Sequence, residues 1–273
     1  VILAVRNSIK GAEAMADLTS SVPGSSIEVA HLDLADLSSV NNFSDWFKAS
    51  ELNLDLLINN AGIMGIPRGT TVDGFELQFG TNHLGHFALT GKLLSSLLDN
   101  PGSRVINVAS NAHRQGRLNF YDLQSVHRYG KMRAYAQSKL ANLVFTAELD
   151  RRLQRAGRND ILSLAAHPGM AQSNIVKFDS DSVIHRSVES VWQVVGPYVC
   201  QTSADGAIPI LRAATDPFAK GNDYFGPSQF LGIRGPAVKV QAKKEARDVH
   251  DGRALWEQSI ELTGVDFKEL ESA

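Results

Sequence analysis

Short apolar runs bounded by turn chemistry recur along the chain: Val1 to Val5, Ile27 to Leu32, Leu54 to Ile58, Arg104 to Ala109 and Ile161 to Ala166. They are apolar almost throughout rather than alternating, the pattern of strands buried on both faces. Between them the apolar positions take helical spacing over roughly Gly11 to Thr19, Leu37 to Ala49, Phe75 to Leu98 and Tyr135 to Ala156, with breaks at Pro23-Gly24, Pro101-Gly102 and Pro168-Gly169. Strand alternating with helix predicts an α/β fold with a doubly wound parallel sheet and helices on both faces. Residues Gln172 to Thr202 have the mixed character of a substrate loop. A helix near Ala204 to Ala214, a last strand at Asp223-Tyr224-Phe225 and a helix near Arg253 to Thr263 follow. With no repeat and no linker, residues 1–273 read as a single domain.

Composition narrows the function. The 27 basic and 29 acidic side chains leave a net charge of -2, so no footprint for nucleic acid or an anionic membrane is expected. The uncharged run from Ser190 to Ala204 is short and interrupted by Gln193, Gly196, Pro197 and Gln201, so no membrane span is predicted. Cys200 is the only cysteine, which excludes an internal disulfide and a thiolate metal site and fits a reducing, cytoplasmic setting. His83 and His86 lie three apart on a predicted helix without a third ligand at metal spacing, so they read as satisfied helix histidines and no metal is expected.

Ligands of doubly wound sheets bind beyond the carboxyl ends of the strands, which directs attention to Arg6-Asn7, Asp33, Asn59-Asn60, Ser110 and His167-Pro168-Gly169. Tyr135 and Lys139, four apart, share one helical face. A phenol titrates near about 10 when free, and an adjacent ammonium favours the phenolate, so the pair is a candidate for acid-base chemistry. Ser110 lacks the Gly-x-Ser-x-Gly context of a hydrolase nucleophile.

In chain order, Asn59-Asn60-Ala61-Gly62, Asn82, Ser110, Tyr135 with Lys139, and Pro168-Gly169 resemble the short-chain dehydrogenase/reductase family, a Rossmann-type group of NAD(P)-dependent oxidoreductases. More narrowly, Val5-Arg6-Asn7, Leu56 to Gly62, Gly74-Phe75-Glu76, Thr81 to Phe87, Tyr135 to Asn142 and Ala166 to Gly169 resemble its retinol dehydrogenase and WW-domain oxidoreductase branch. The resemblance implies an NADP(H)-dependent oxidoreductase that interconverts an apolar aldehyde or ketone and the corresponding alcohol, with substrate identity and direction open. It makes Tyr135 the acid-base group, Lys139 its pKa-lowering partner and a ribose contact, Ser110 the hydrogen-bond donor to the substrate oxygen, and Asn82 part of a water-linked proton relay.

The same resemblance puts Asp33 and Leu34 beside the adenine, Asn59, Asn60, Ala61 and Gly62 along the ribose, and Pro168, Gly169, Ala171 and Ser173 near the nicotinamide. Arg6 ends the first strand where an NAD-selective fold carries Asp or Glu, which favours NADP, with NAD the alternative. Homo-oligomers are common in the family and are implied here on that ground. The family's turn Thr-Gly-x-x-x-Gly-x-Gly is absent, and Gly62, Gly65 and Gly69 do not replace it. The resemblance therefore carries the expectation that the first strand-helix unit, the centre of the sheet and the pyrophosphate cradle, is missing from an N-terminally incomplete chain. It also keeps open a non-catalytic rival, a scaffold or weak nucleotide sensor.

Overall fold

A computed structural model of the protein describes residues 1–170 and 201–271. Strands β1 (Ile2–Val5) and β2 (Glu28–His31) pair in parallel, Leu3 opposite Val29, around the crossover helix α1 (Ser8–Ser21). Helix α1 begins earlier than its apolar spacing suggests because the Asn7 side chain accepts from the Lys10 N–H and caps it. Asp36 similarly caps α2 (Leu37–Ala49), whose buried Val40, Phe43 and Phe47 form one stripe.

A second sheet runs β3 (Leu56–Asn59), β4 (Arg104–Val108), β5 (Leu162–Ala166), β6 (Tyr224–Gln229) and β7 (Arg234–Lys239), the first four parallel and β7 antiparallel at the edge. The doubly wound α/β architecture predicted from strand and helix alternation is present, with two differences. First, pairing is broken between the β1–β2 ribbon and β3, so the strands form two sheets rather than one. β3 is consequently an edge: Leu57 and Asn59 are buried, but Leu56 and Ile58 are 41% and 39% exposed. The break falls where the family resemblance puts a further strand. Second, β7 was not anticipated, because Gly235 and Pro236 within it argue against a central strand, and an edge is where proline is tolerated.

The helix expected from Phe75 to Leu98 is divided into α3 (Leu77–Phe79), a π turn (Gly80–Leu84), α4 (Gly85–Lys92) and α5 (Leu94–Leu98). At the start of α4, Gly85 lies against the Leu34 carbonyl oxygen so closely that a Cβ would collide with it. Helix α6 (Lys131–Arg155) packs across the sheet and is buried along most of its length. Helices α7 (Ser203–Thr215) and α8 (Val249–Thr263) complete the layers, and Phe87, Phe145, Trp256 and Phe267 interlock between α4, α6 and α8, with the Trp256 and Phe267 rings 4.4 Å apart. No helix among the described residues is long and apolar enough to cross a membrane.

Candidate active site

The end of β4 and the start of α6 form the centre of the site. Ser110 is extended and opens a 3-10 turn, Asn111–Gln115, with its hydroxyl accepting from the Ala112 N–H at 3.2 Å. The buried His113 holds this corner: Nδ1 lies 2.6 Å from the Ser110 carbonyl oxygen, and Nε2 accepts from the Lys243 N–H at 3.4 Å. Those partners assign the neutral imidazole with its proton on Nδ1, and burial favours that form by lowering the pKa.

Tyr135 and Lys139 lie on the inward face of α6 and are both buried. Burial raises the Tyr135 pKa, while a hydrogen bond with the Ser110 side chain pulls it back. Burial lowers Lys139 to about 8. Its Nζ donates to the Val108 carbonyl at 2.8 Å and stands 5.9 Å from the centre of the Tyr135 ring. Ser110 is thus the side chain that favours the phenolate of Tyr135, and the Lys139 ammonium lies on the same face of α6. Asn142, one helical turn beyond Lys139, donates to the same Val108 carbonyl at 3.3 Å. Sequence reasoning gave Asn142 no role, although its spacing from Lys139 already put it on that face.

Asn82 sits in the π turn, a local widening that often marks functional sites. Its side chain clamps the segment after β3: Oδ1 accepts from the Ile63 N–H at 2.8 Å, and Nδ2 donates to the Ile63 carbonyl and to Ser138 Oγ, each at 2.9 Å. The Asn82 carbonyl meanwhile accepts from His86 Nδ1 at 2.9 Å. A Cβ on Gly62 would lie 3.2 Å from Asn82 Oδ1 and 3.3 Å from Lys139 Nζ, so both groups border the space left open at this glycine. His83 and His86 are wholly buried and engaged with Ser259 and Asn82, burial lowering their pKa values to about 3 and about 4.

The other expected ligand-binding residues are placed unevenly. Asn60 and Ala61 are exposed at the carboxyl end of β3, whereas Asn59 points into the helix layer, donating to Asn107 Oδ1 at 2.9 Å and Thr90 Oγ1 at 3.1 Å. Strand alternation turns its side chain toward the helix layer and leaves only its backbone at the strand end. Leu34 is likewise packed beneath Gly85, and Asp33 Oδ1 accepts from the Ala35 N–H at 2.9 Å in a turn leading into α2. Arg6 is exposed after β1, with no hydrogen bond or ion pair among the described residues. Gly169 has φ +65° and approaches the Ile233 carbonyl so closely that no Cβ fits. Ala171 and Ser173 lie outside the described residues.

Sequence reasoning also passed over Tyr224, whose buried hydroxyl has no hydrogen-bond partner among the described residues and whose ring packs against His113 and His167. Its sequence context predicts only a strand, since a tyrosine in an apolar run carries no other signal.

Residues 1–183 match the family described as short chain dehydrogenase. The chain is 37% identical over 268 residues to human retinol dehydrogenase 12, covering 98% of this chain and 79% of that protein. It is 36% identical over 265 residues to human retinol dehydrogenase 11, covering 97% and 78%. Among solved structures, an uncharacterized protein from Mycobacterium paratuberculosis superposes with a TM-score of 0.74 at 40% identity, covering 98% of this chain and 85% of that one. A short chain dehydrogenase from Burkholderia cenocepacia in complex with NADP shares the fold, with a TM-score of 0.59 at 20% identity and coverage of 82% and 84%. The family match and the retinol dehydrogenase similarity agree with the convergence of Ser110, Tyr135 and Lys139 at the end of the sheet: the chain belongs to the short-chain dehydrogenase family.

Proposed function

We propose that the protein is an NADP(H)-dependent oxidoreductase that interconverts an aldehyde or ketone with an apolar body and the corresponding alcohol. The observation that carries this reading is the convergence of Ser110 at the end of β4 with the buried Tyr135 and Lys139 of α6, Lys139 Nζ 5.9 Å from the centre of the Tyr135 ring and bound to the Val108 carbonyl, and Asn82 bordering the same space. In reduction, the Tyr135 hydroxyl donates its proton to the substrate oxygen, and Ser110 stabilises the charge developing there. Lys139 and Asn82, which border the same small space, return a proton toward the phenol. In oxidation the transfers run in reverse.

The residues at the strand ends fit the nicotinamide and ribose portions of the cofactor. Gly62 leaves room beside Lys139 Nζ, and Asn60 and Ala61 are exposed next to it. Lys139 and Asn60 would hold the ribose, Pro168 and Gly169 would border the ring, and Arg6 would pair with a 2′-phosphate. The bound cofactor supplies or accepts the hydride. We place the reaction in the cytoplasm, a reducing setting suited to the single Cys200.

A non-catalytic scaffold or nucleotide-sensing role is the alternative reading. Following NADPH consumption on addition of medium-chain aldehydes separates the two. The catalytic reading predicts turnover that is lost in Ser110→Ala and is faster with NADPH than with NADH. Saturable NADPH binding without turnover of any aldehyde, ketone or alcohol would establish the second reading instead.

A further inference from the structure

Beside Ser110 a cavity of about 360 Å³ lies between the Asn111–Gln115 turn and the β6–β7 ribbon. Leu231 and Val240 contribute apolar wall, and Asn111, His167, Gln241 and Arg114 contribute polar groups. No carboxylate lines it among the described residues. Burial holds His167 at about 3, so its imidazole is uncharged at neutral pH and Arg114 is the cavity's one charge among the described residues. The Arg114 guanidinium makes no hydrogen bond or ion pair among those residues, although its charge is felt by His113, His167 and Tyr224.

The turn that opens at Ser110 supplies one wall of this cavity. Asn111, next to Ser110, donates to the Leu231 and Gly232 carbonyls at 3.2 and 2.9 Å, fixing the ribbon against the turn. Gly232 has φ +82° and a Cβ there would meet Asn111 Nδ2 at 3.0 Å, so the approach is built into the backbone. Four residues of 3-10 turn at about 2 Å each separate Ser110 from Arg114 by about 8 Å of backbone. A molecule with its carbonyl at Ser110 and Tyr135 therefore needs several carbons before its far end meets the guanidinium. An exposed arginine that lines the same cavity as Leu231 and Val240, without a hydrogen bond or ion pair among the described residues, offers a planar fork suited to a carboxylate.

We propose that this cavity receives the far end of the substrate and that Arg114 pairs with a carboxylate there, making the preferred substrates carbonyl compounds whose apolar chain ends in a carboxylate. The carbonyl end of this assignment rests on the oxidoreductase reading above, and the cavity end does not.

The two ends are tested separately. Calorimetric titration with nonanoate, which has no carbonyl to reduce, is compared with nonanol on the wild type, Arg114→Gln and Arg114→Lys, with thermal melts to establish that each variant is folded. Saturable nonanoate binding at least about tenfold tighter than nonanol, lost in Arg114→Gln and partly kept in Arg114→Lys, is expected. Binding that is absent, equal for the two ligands, or unchanged in Arg114→Gln overturns the proposal. In turnover, azelaic semialdehyde should exceed nonanal in kcat/KM by about tenfold, a ratio that collapses in Arg114→Gln. Reduction of nonanal with no preference for the semialdehyde defeats this inference and leaves the oxidoreductase reading intact. Turnover of neither defeats that reading, and the nonanoate titration then decides the cavity.

Discussion

Burial is the main influence on the ionisable residues of this protein. It moves the Tyr135 and Lys139 pKa values in opposite directions, each favouring the neutral form. Asp150 on α6 shows the same effect away from the site: burial raises it to about 6, with the Arg151 charge opposing and Asp223 reinforcing the shift. A carboxyl raised in the folded state adds stability that is fully present below its unfolded pKa near about 4 and is lost as pH rises through 6. Urea melts across this window should show the wild type losing about 2 to 3 kcal/mol relative to Asp150→Asn. Parallel pH profiles for the two proteins would refute the assignment. Tyr135, Lys139, Ser110 and Asn82 were legible as residues because the chemistry requires these side chains at the ends of predicted elements. Their pKa directions were not, since burial depends on neighbours from α6, β4 and the loop after β3 that no local pattern reveals.

At the scale of elements, apolar periodicity located every strand from β1 to β6 and every long helix among the described residues, but not the interruptions. The π turn at Gly80–Leu84 lies within a continuous apolar pattern, and what divides it is tertiary: Gly85 must approach the Leu34 carbonyl, and Asn82 must reach back to Ile63. The direction of the Asn59 side chain was hidden for a related reason. The motif it belongs to lies at a strand end, yet the pleat turns alternate residues to opposite faces, and its side chain joins Asn107, Thr90 and Thr146 in a buried polar ladder. Gly85→Ala should cost about 1 to 3 kcal/mol in chemical denaturation, because the added methyl meets backbone rather than a movable side chain. A stability equal to wild type would show that α4 and the segment after β2 can separate without cost.

For the molecule as a whole, the divided sheet predicts uneven stability. β4 and β5 are buried over four of their five residues, whereas β1 and β2 have no buried residue and α1 buries only Gly11. The β1–α1–β2 unit is joined to the rest largely through Leu32, Leu34 and the packing of α2 on α4. Its amides should exchange with solvent sooner than those of β4 and β5 in a hydrogen-exchange time course. Equal protection across both sheets would contradict a weakly attached unit. The α/β architecture was readable from the order of strands and helices; the break was not readable from the apolar runs, which specify burial and leave the pairing partner unspecified, and only the family resemblance pointed to a strand at that place.

The central claim is that Tyr135 exchanges a proton with a carbonyl oxygen at a site shared with Ser110 and Lys139, and replacing the phenol tests it most directly. NADPH binding by nicotinamide fluorescence and aldehyde reduction by loss of NADPH absorbance would be measured on the same preparations of wild type and Tyr135→Phe. The account predicts that the variant binds NADPH with nearly unchanged affinity while its kcat falls by at least about a hundredfold. A variant that reduces the aldehyde at the wild-type rate would contradict the account, because the proton would then come from a group other than Tyr135.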